Sequence, residues 1–366
     1  MNTLNLNTLL GFANQEEVFI SEGCQNRHIA VLGSSGCGKT SQTTMLAIEA
    51  ARRGELVLML NTHQCLNVDT FMEPIREQYL ELRSGKIDIS KGIKMSIFQK
   101  KENETDDDVI ERITLLLGKA GKLTPAQRTF LGQGVESACK NGELLQDGII
   151  AVKRFLDCQK DRAAKNVSAK LRPILNRNLI TDGLDFFENA SGIWELDFGG
   201  FQYEDQDLLA ELIIDYLFRK AQTGAFMQKP VRLVIDECQN LDFSSKGVMC
   251  TLINESRKLG LALIISGTEM KTKMAQSALE QCGTVLYFNQ PKEKVSGLAR
   301  KIAPQALQEW RYFLTYLKVG ECAAVGEFVN AIGNSVNSPV IIDSLASMAG
   351  VKICEKLDLE DLDNAV

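Results

Sequence analysis

The segment "HIAVLGSSGCGKTSQTTMLAIEAARRG", from His28 to Gly54, constrains the chain more than any other. A short apolar run feeds a glycine-rich stretch, and helix formers follow until Gly54 in the position just past a helix end, which reads as strand, loop, helix. In the loop, Gly33 is followed by four residues and then Gly38-Lys39-Thr40. Gly33, Gly36 and Gly38 let the backbone curl so that successive N–H groups point inward, and the helix N-terminus adds its dipole. The product is an anion cradle suited to phosphate. A chance glycine-rich turn would not explain the strand before it and the helix after it.

A second buried strand, "ELVLMLN", follows about one βαβ unit downstream, which calls for a parallel sheet covered on both faces. Further strand candidates are "IKMSIF" (93–98), "GIWELDF" (192–198), "VRLVID" (231–236), "LALIISG" (261–267), "TVLYFN" (284–289) and "ECAAVGEF" (321–328), most of them separated by helices. Between 105 and 188 helical signals dominate, and Thr124 as N-cap, Pro125 at N1 and Gln127 at N3 mark a helix start there. "DQDLLAELIIDYLFRKAQ" (205–222) is apolar nearly all round, so it should be buried against the sheet. The expected fold class is α/β, with a mainly parallel sheet and an inserted helical unit. The expected layout is a first part of the core at 1–104, a helical insertion at 105–188, the second part at 189–340, and an acidic C-terminal helix or tail at 341–366.

The chemistry follows from the loop and from one acidic pair. Gly33, Ser34, Ser35, Gly36, Cys37, Gly38, Lys39, Thr40 and Ser41 would surround a nucleotide. Lys39 would reach the β- and γ-phosphates, and the Thr40 hydroxyl would bind Mg²⁺. "VRLVIDECQN" ends on Asp236-Glu237, at the sheet edge where ligands bind in open α/β folds. Asp236 would join the Mg²⁺ shell and Glu237 would orient or deprotonate a water, a signature of ATP hydrolysis; the plainer alternative is a pair of turn carboxylates. In "NESRKLGLALIISGT", Ser244 or Ser245 can cap a helix that Gly260 closes. That leaves Arg257 either as a finger for a neighbouring subunit or as a cation facing the helix dipole.

The 366 residues carry a net charge of −6, so nucleic acid is not attracted globally and needs a local basic patch. One candidate runs from Lys153 through Arg154, Lys160, Arg162, Lys165, Lys170 and Arg172 to Arg177; its alternative is a solvated helix face. Lys271 and Lys273 form a second. The cysteines show no CxxC pair and there are only two histidines, which reads as a reduced protein. Cys37 and Cys238, although inside the two motifs, read as small residues and not as a redox switch, and His63 as a loop histidine. Neither a signal peptide nor a membrane span is apparent, so a cytoplasmic location is expected, with room for peripheral attachment to a membrane complex.

Taken in order, "HIAVLGSSGCGKT", "ELVLMLN", "IWELDFGGF", "LVIDECQN", "ESRKLGLALIISGT", "TVLYFN" and "LKVGECAAVGEF" resemble the HerA/FtsK superfamily of P-loop ATPases, including DUF87-type and type IV secretion ATPases. The resemblance implies a RecA-like core and hexameric rings. It also implies Lys39 and Thr40 as phosphate and Mg²⁺ ligands, Asp236 and Glu237 as Walker B residue and catalytic acid, and Arg257 as the finger. Two positions depart from the pattern: Asn61 stands where an Asp is usual and Thr268 where a Gln is usual, though Thr268 can hydrogen-bond a γ-phosphate at shorter reach. With residues 1–26 alone before the first strand, neither the β-barrel of archaeal HerA nor the membrane helices of coupling proteins are expected. The function implied is a ring-forming ATPase that translocates DNA. The alternative is an ATPase of a secretion, conjugation or defence complex that moves or gates protein partners without gripping DNA, and a nucleotide-dependent switch of little turnover is a third.

Overall fold

The computed structural model describes residues 8–347 other than 22, 65, 67, 101–103, 178, 182–184, 246, 269 and 271; the side chains of 144–147 also lie outside the description. The strands are β1 (Thr8–Ala13), β2 (Glu16–Ile20), β3 (Ile29–Leu32), β4 (Leu56–Asn61), β5 (Arg83–Asp88), β6 (Ile93–Lys94), β7 (Ile180–Thr181), β8 (Ile193–Asp197), β9 (Val231–Ile235), β10 (Leu261–Gly267), β11 (Thr284–Tyr287), β12 (Glu321–Val325), β13 (Phe328–Val329), β14 (Ser335–Val336) and β15 (Val340–Ser344). The helices are α1 (Lys39–Arg52), α2 (Glu73–Leu82), α3 (Asp106–Ala120), α4 (Pro125–Lys140), α5 (Leu144–Cys158), α6 (Arg162–Lys170), α7 (Arg172–Leu175), α8 (Tyr203–Gln222), α9 (Val248–Glu255), α10 (Lys273–Leu279), α11 (Lys292–Ile302) and α12 (Leu307–Tyr316).

All strands but β6 and β7 form one sheet, in the order β14-β13-β2-β1-β15-β12-β11-β3-β10-β9-β4-β8-β5. From β11 to β5 every pairing is parallel. From β11 outward through β12 to β14 every pairing is antiparallel. The parallel half is the expected core, and its strands are apolar throughout because both faces are covered. Leu56, Leu58 and Leu60 of β4 join one core layer with α3 and α8, while Val57 and Met59 join the other with α1.

The antiparallel wing is built from both ends of the described chain and is anchored on α1. Gln42, fully buried, donates from Nε2 to the Leu10 carbonyl (2.9 Å) and accepts at Oε1 from the Ala346 amide (3.3 Å). Residues 341–344, expected in a helix or tail, are in β15 because its register against β12 and β1 buries Ile342 and Ser344; 348–366 lie outside the described residues. The expected strand at 93–98 shortens to β6. Beyond it Ser96 turns its amide to the Asp185 carboxylate (2.7 Å), leaving the ladder.

The helices α3 to α7 lie between β6 and β7, which pair with each other in parallel and so bring the two ends of this unit together. The turn into α4 carries a full capping box, with Thr124 Oγ1 accepting from the Gln127 amide and the Gln127 side chain accepting from the Thr124 amide. Thr124→Ala should therefore cost about 1 kcal/mol in denaturant unfolding, and Thr124→Asn should be close to neutral.

Candidate functional site

The site begins where β3 ends. The Gly33 amide donates to the Gly267 carbonyl at the end of neighbouring β10 (3.4 Å), and the Ser34 amide to the Asn289 carbonyl beyond β11 (2.8 Å), so both flanking strands fix the start of the loop. The loop ends at Gly38, the N-cap of α1, at φ 101, a conformation that disfavours any side chain. Gly38 has no side chain to cap this helix, so its first-turn amides open on the loop.

Lys39 is buried, and its Nζ lies 2.8 Å from the Ser34 carbonyl, folded over the loop it belongs to. Cys37 is also buried, with Sγ donating to the same carbonyl (2.9 Å); burial pushes its thiol up, and does so strongly for the fully buried Cys238. Neither thiol has thiolate character, in keeping with a packing role.

Asp236, at the end of β9 and buried, is bound from three sides. Thr40 Oγ1 donates to its Oδ2 (2.7 Å), the Glu237 amide donates to its Oδ1 (3.0 Å), and Ser266 Oγ of β10 also donates to Oδ1. A hydroxyl and a carboxylate at this separation offer the hard oxygen donors that Mg²⁺ takes, so the residues fit that ion. Glu237 adopts left-handed backbone (φ 53) and faces a cavity of about 710 Å³. Ser35, Gly36, Gly38, Lys39, Thr40 and Ser41 line that cavity on the loop side. Its far wall comes from the wing: Lys318, Val319, Gly320 and Asp343. Gly320 donates its amide to the Cys37 carbonyl (3.3 Å), which fixes the wall against the loop.

Two departures from the motif pattern are now placed. Asn61 is buried and fully engaged, accepting from the Leu66 amide (3.0 Å) and donating to Glu195 Oε1 (2.8 Å). Thr268 lines a different cavity, of about 300 Å³, with Leu32, Tyr287 and Gln290, and its amide donates to Gln239 Oε1 (3.3 Å). The expectation that Thr268 takes over γ-phosphate contact thus meets a side chain placed on the α11 side of the sheet edge. His63 pairs with Asp207 (2.9 Å) and packs against Tyr203 in the loop after β4.

Arg257 lies before β10, while the glycine-rich loop lies after β3, which runs parallel to it. The length of a strand, about 3.3 Å per residue, therefore separates Arg257 from the glycine-rich loop of the same chain. The expected cap is also replaced: α9 starts at Gly247 without a side-chain cap, because Ser244 turns its amide to Asp242 Oδ1 (2.8 Å). Arg257 and Arg232 both bear on His28, which accepts at Nδ1 from the Leu263 amide (3.2 Å).

The basic stretch is largely spoken for within the chain. Lys153 pairs with Asp157, Arg154 with Glu143 (3.0 Å) and Arg172 with Asp205 (3.7 Å). Lys170 donates to the Lys122 carbonyl (3.0 Å), and Arg177 stacks over Phe201. Lys160, Arg162 and Lys165 stay exposed at the start of α6. Lys273 is exposed in the first turn of α10, and Lys271 lies outside the described residues. Among the described residues no helix is long and apolar enough to cross a membrane.

The mainly parallel core sheet and the glycine-rich loop that joins β3 to α1 together define a P-loop α/β fold. Among solved structures the chain is similar to VirB4 of Thermoanaerobacter pseudethanolicus, at 16% identity and TM-score 0.64, covering 94% of this chain and 97% of that one. It is also similar to the bacterial conjugative coupling protein TrwB, in a sulphate complex (14% identity, TM-score 0.58, 89% and 87% covered) and in complex with ADP and Mg²⁺ (12%, 0.57, 89% and 87%). At such identities the likeness establishes the fold. No family model and no curated protein matches the chain in sequence.

Burial, with Arg232 and Arg257 alongside, lowers His28 from 6.5 to about 3 in the folded chain. The unfolded chain then binds the extra proton between those values, so this group's contribution is complete above pH 6.5 and lost as pH falls toward 3. Unfolding followed across that window should steepen with acid in the parent chain, and His28→Gln should flatten the slope.

Proposed function

We propose that the chain is a Mg²⁺-dependent ATPase that powers movement of a polymer in a conjugation or secretion setting, acting as a ring of like subunits, with DNA as the polymer moved. The observation that carries this reading is the contact between Thr40 Oγ1 and Asp236 Oδ2, 2.7 Å, beside Glu237 in one cavity with Lys39. The TrwB structure with ADP and Mg²⁺ shares the fold, which supports the choice of nucleotide and ion. Mg²⁺ held by Thr40 and Asp236 would neutralise charge on the β- and γ-phosphates. Loop amides and Lys39 would bind the phosphates, with Lys39 exchanging the Ser34 carbonyl for a γ-phosphate oxygen. Glu237 would orient the attacking water in line and take its proton. Arg257, a strand's length from its own cradle, would serve the next subunit.

Lys273 and the exposed cations of α6 are the candidate DNA contacts, together with Lys271. One observation favours the second reading, an ATPase that moves or gates a protein partner of a secretion, conjugation or defence complex: Lys153, Arg154 and Arg172 are ion-paired within the chain. ATP turnover with single- and double-stranded DNA across a salt series separates the two. Strong stimulation that falls steeply with salt supports the DNA motor, and turnover indifferent to DNA at low salt supports the protein-handling ATPase. Glu237→Gln should abolish turnover and keep ATP binding; unchanged turnover would remove the role given to Glu237. Mixing inactive Lys39→Ala and Arg257→Ala subunits should restore part of the activity if the arginine acts in trans.

A further inference from the structure

Beyond the glycine-rich loop and the acidic pair, one side chain touches both the acidic pair and the segment after β10. Gln239, in the short turn Cys238–Asn240 that follows the acidic pair, donates from Nε2 to Glu237 Oε2. Its other end, Oε1, accepts from the Thr268 amide at 3.3 Å. The orientation of this amide is settled by its two neighbours: a carboxylate demands a donor and a backbone N–H demands an acceptor, so the flipped amide would face both wrongly. Close approach to β10 is provided for at Gly267, where a Cβ would come within 3.1 Å of Gln239 Oε1 and 3.0 Å of Cys238 Sγ.

Glu237 needs such support. Its backbone is in the left-handed region, which is unfavourable for a non-glycine residue and persists only where surrounding contacts hold it. Its amide is held by Asp236, so the peptide is anchored on one side and the carboxylate on the other. With Oε2 engaged by the amide, Oε1 is the oxygen that remains for a water. Meanwhile Thr268 begins the segment that leads through Thr272, the N-cap of α10, to Lys273.

We propose that Gln239 is the positioning residue for Glu237, and that it links the aim of that carboxylate to the main chain at Thr268, just past β10. The inference rests on the hydrolase reading above. It also accounts for Thr268: the amide function that touches this point comes from the turn after β9, and position 268 contributes its backbone N–H. A displacement of Thr268 withdraws the anchor of Gln239 and so changes the hold on Glu237.

The test uses the full chain and measures kcat and KM for ATP separately. Gln239→Ala should lower kcat about tenfold to a hundredfold, the scale of a misplaced catalytic group, with KM little changed. Gln239→Glu is isosteric and keeps the acceptor for Thr268, but sets a like charge against Glu237, so it should be slower than Gln239→Ala; a merely structural role gives the opposite order. Hydrogen exchange of the segment around Thr268 should quicken in Gln239→Ala without global unfolding. An active parent whose kcat survives Gln239→Ala overturns the positioning role alone. Exchange that does not change overturns the link to the segment. A parent chain without ATP turnover removes the hydrolase reading itself and this inference with it.

Discussion

A single buried carboxylate, Asp236, holds the site together. Its oxygens accept from Thr40 at the head of α1, from Ser266 in β10 and from the amide of Glu237, so one side chain ties the glycine-rich loop, two neighbouring strands and the acidic turn to one point. A buried carboxylate is tolerated only when its lone pairs are met, and the sheet order meets them: β10 lies between β3, which leads into the loop, and β9, which carries the acid. Moving any of these three strands out of register would strand the charge, which makes the register of the parallel half and the geometry of the cradle a single requirement.

The second requirement is met by the wing. A cavity at the glycine-rich loop would otherwise open to water on one side, and here the far wall is the turn Lys318–Gly320 with Asp343 of β15. That wall is held by the Gly320 amide on the Cys37 carbonyl and by Gln42 of α1, which reaches both β1 and the residues just past β15. The helix that opens the cradle is therefore also the helix that carries its cover.

Much of this was legible in the sequence, and the gaps have physical reasons. The loop spacing, the alternation of core strands with helices, the capping box at Thr124 and the acidic pair are local signals, and the structure brings Thr40 within 2.7 Å of Asp236 across 196 residues of chain. The β1–β2 hairpin was missed because its turn is Asn14-Gln15, both at positive φ, where Asn-Gly would be the recognisable form. Edge strand β5, "RSGKID", alternates between half-buried and exposed and has no apolar run to announce it. Ser266 was hidden in a run read as apolar, and Gln239 was one polar residue in a turn; their roles depend on which strands become neighbours. Position along the chain likewise could not show that Arg257 lies at the opposite end of the sheet from its own cradle.

The helical unit is fastened to α8 by Lys119 on Asp215 (3.1 Å), which Arg219 also holds (2.8 Å), and by Lys122 on Glu211 (3.4 Å). The last pair is weak because Lys122 is well exposed, and apolar packing of α3 on α8 gives the joint its stiffness. Yet Glu211, buried in α8, also accepts from the Asp242 amide at 2.9 Å, two residues beyond the turn that contains Gln239. Load applied to the helices at 106–175 is thus transmitted by α8 to the main chain just past the acidic pair, while the glycine-rich loop is braced separately by β10, the Asn289 carbonyl and the wing. Tension on that unit would reach Asp242 and the turn beside Glu237 first, and the glycine-rich loop only through Asp236.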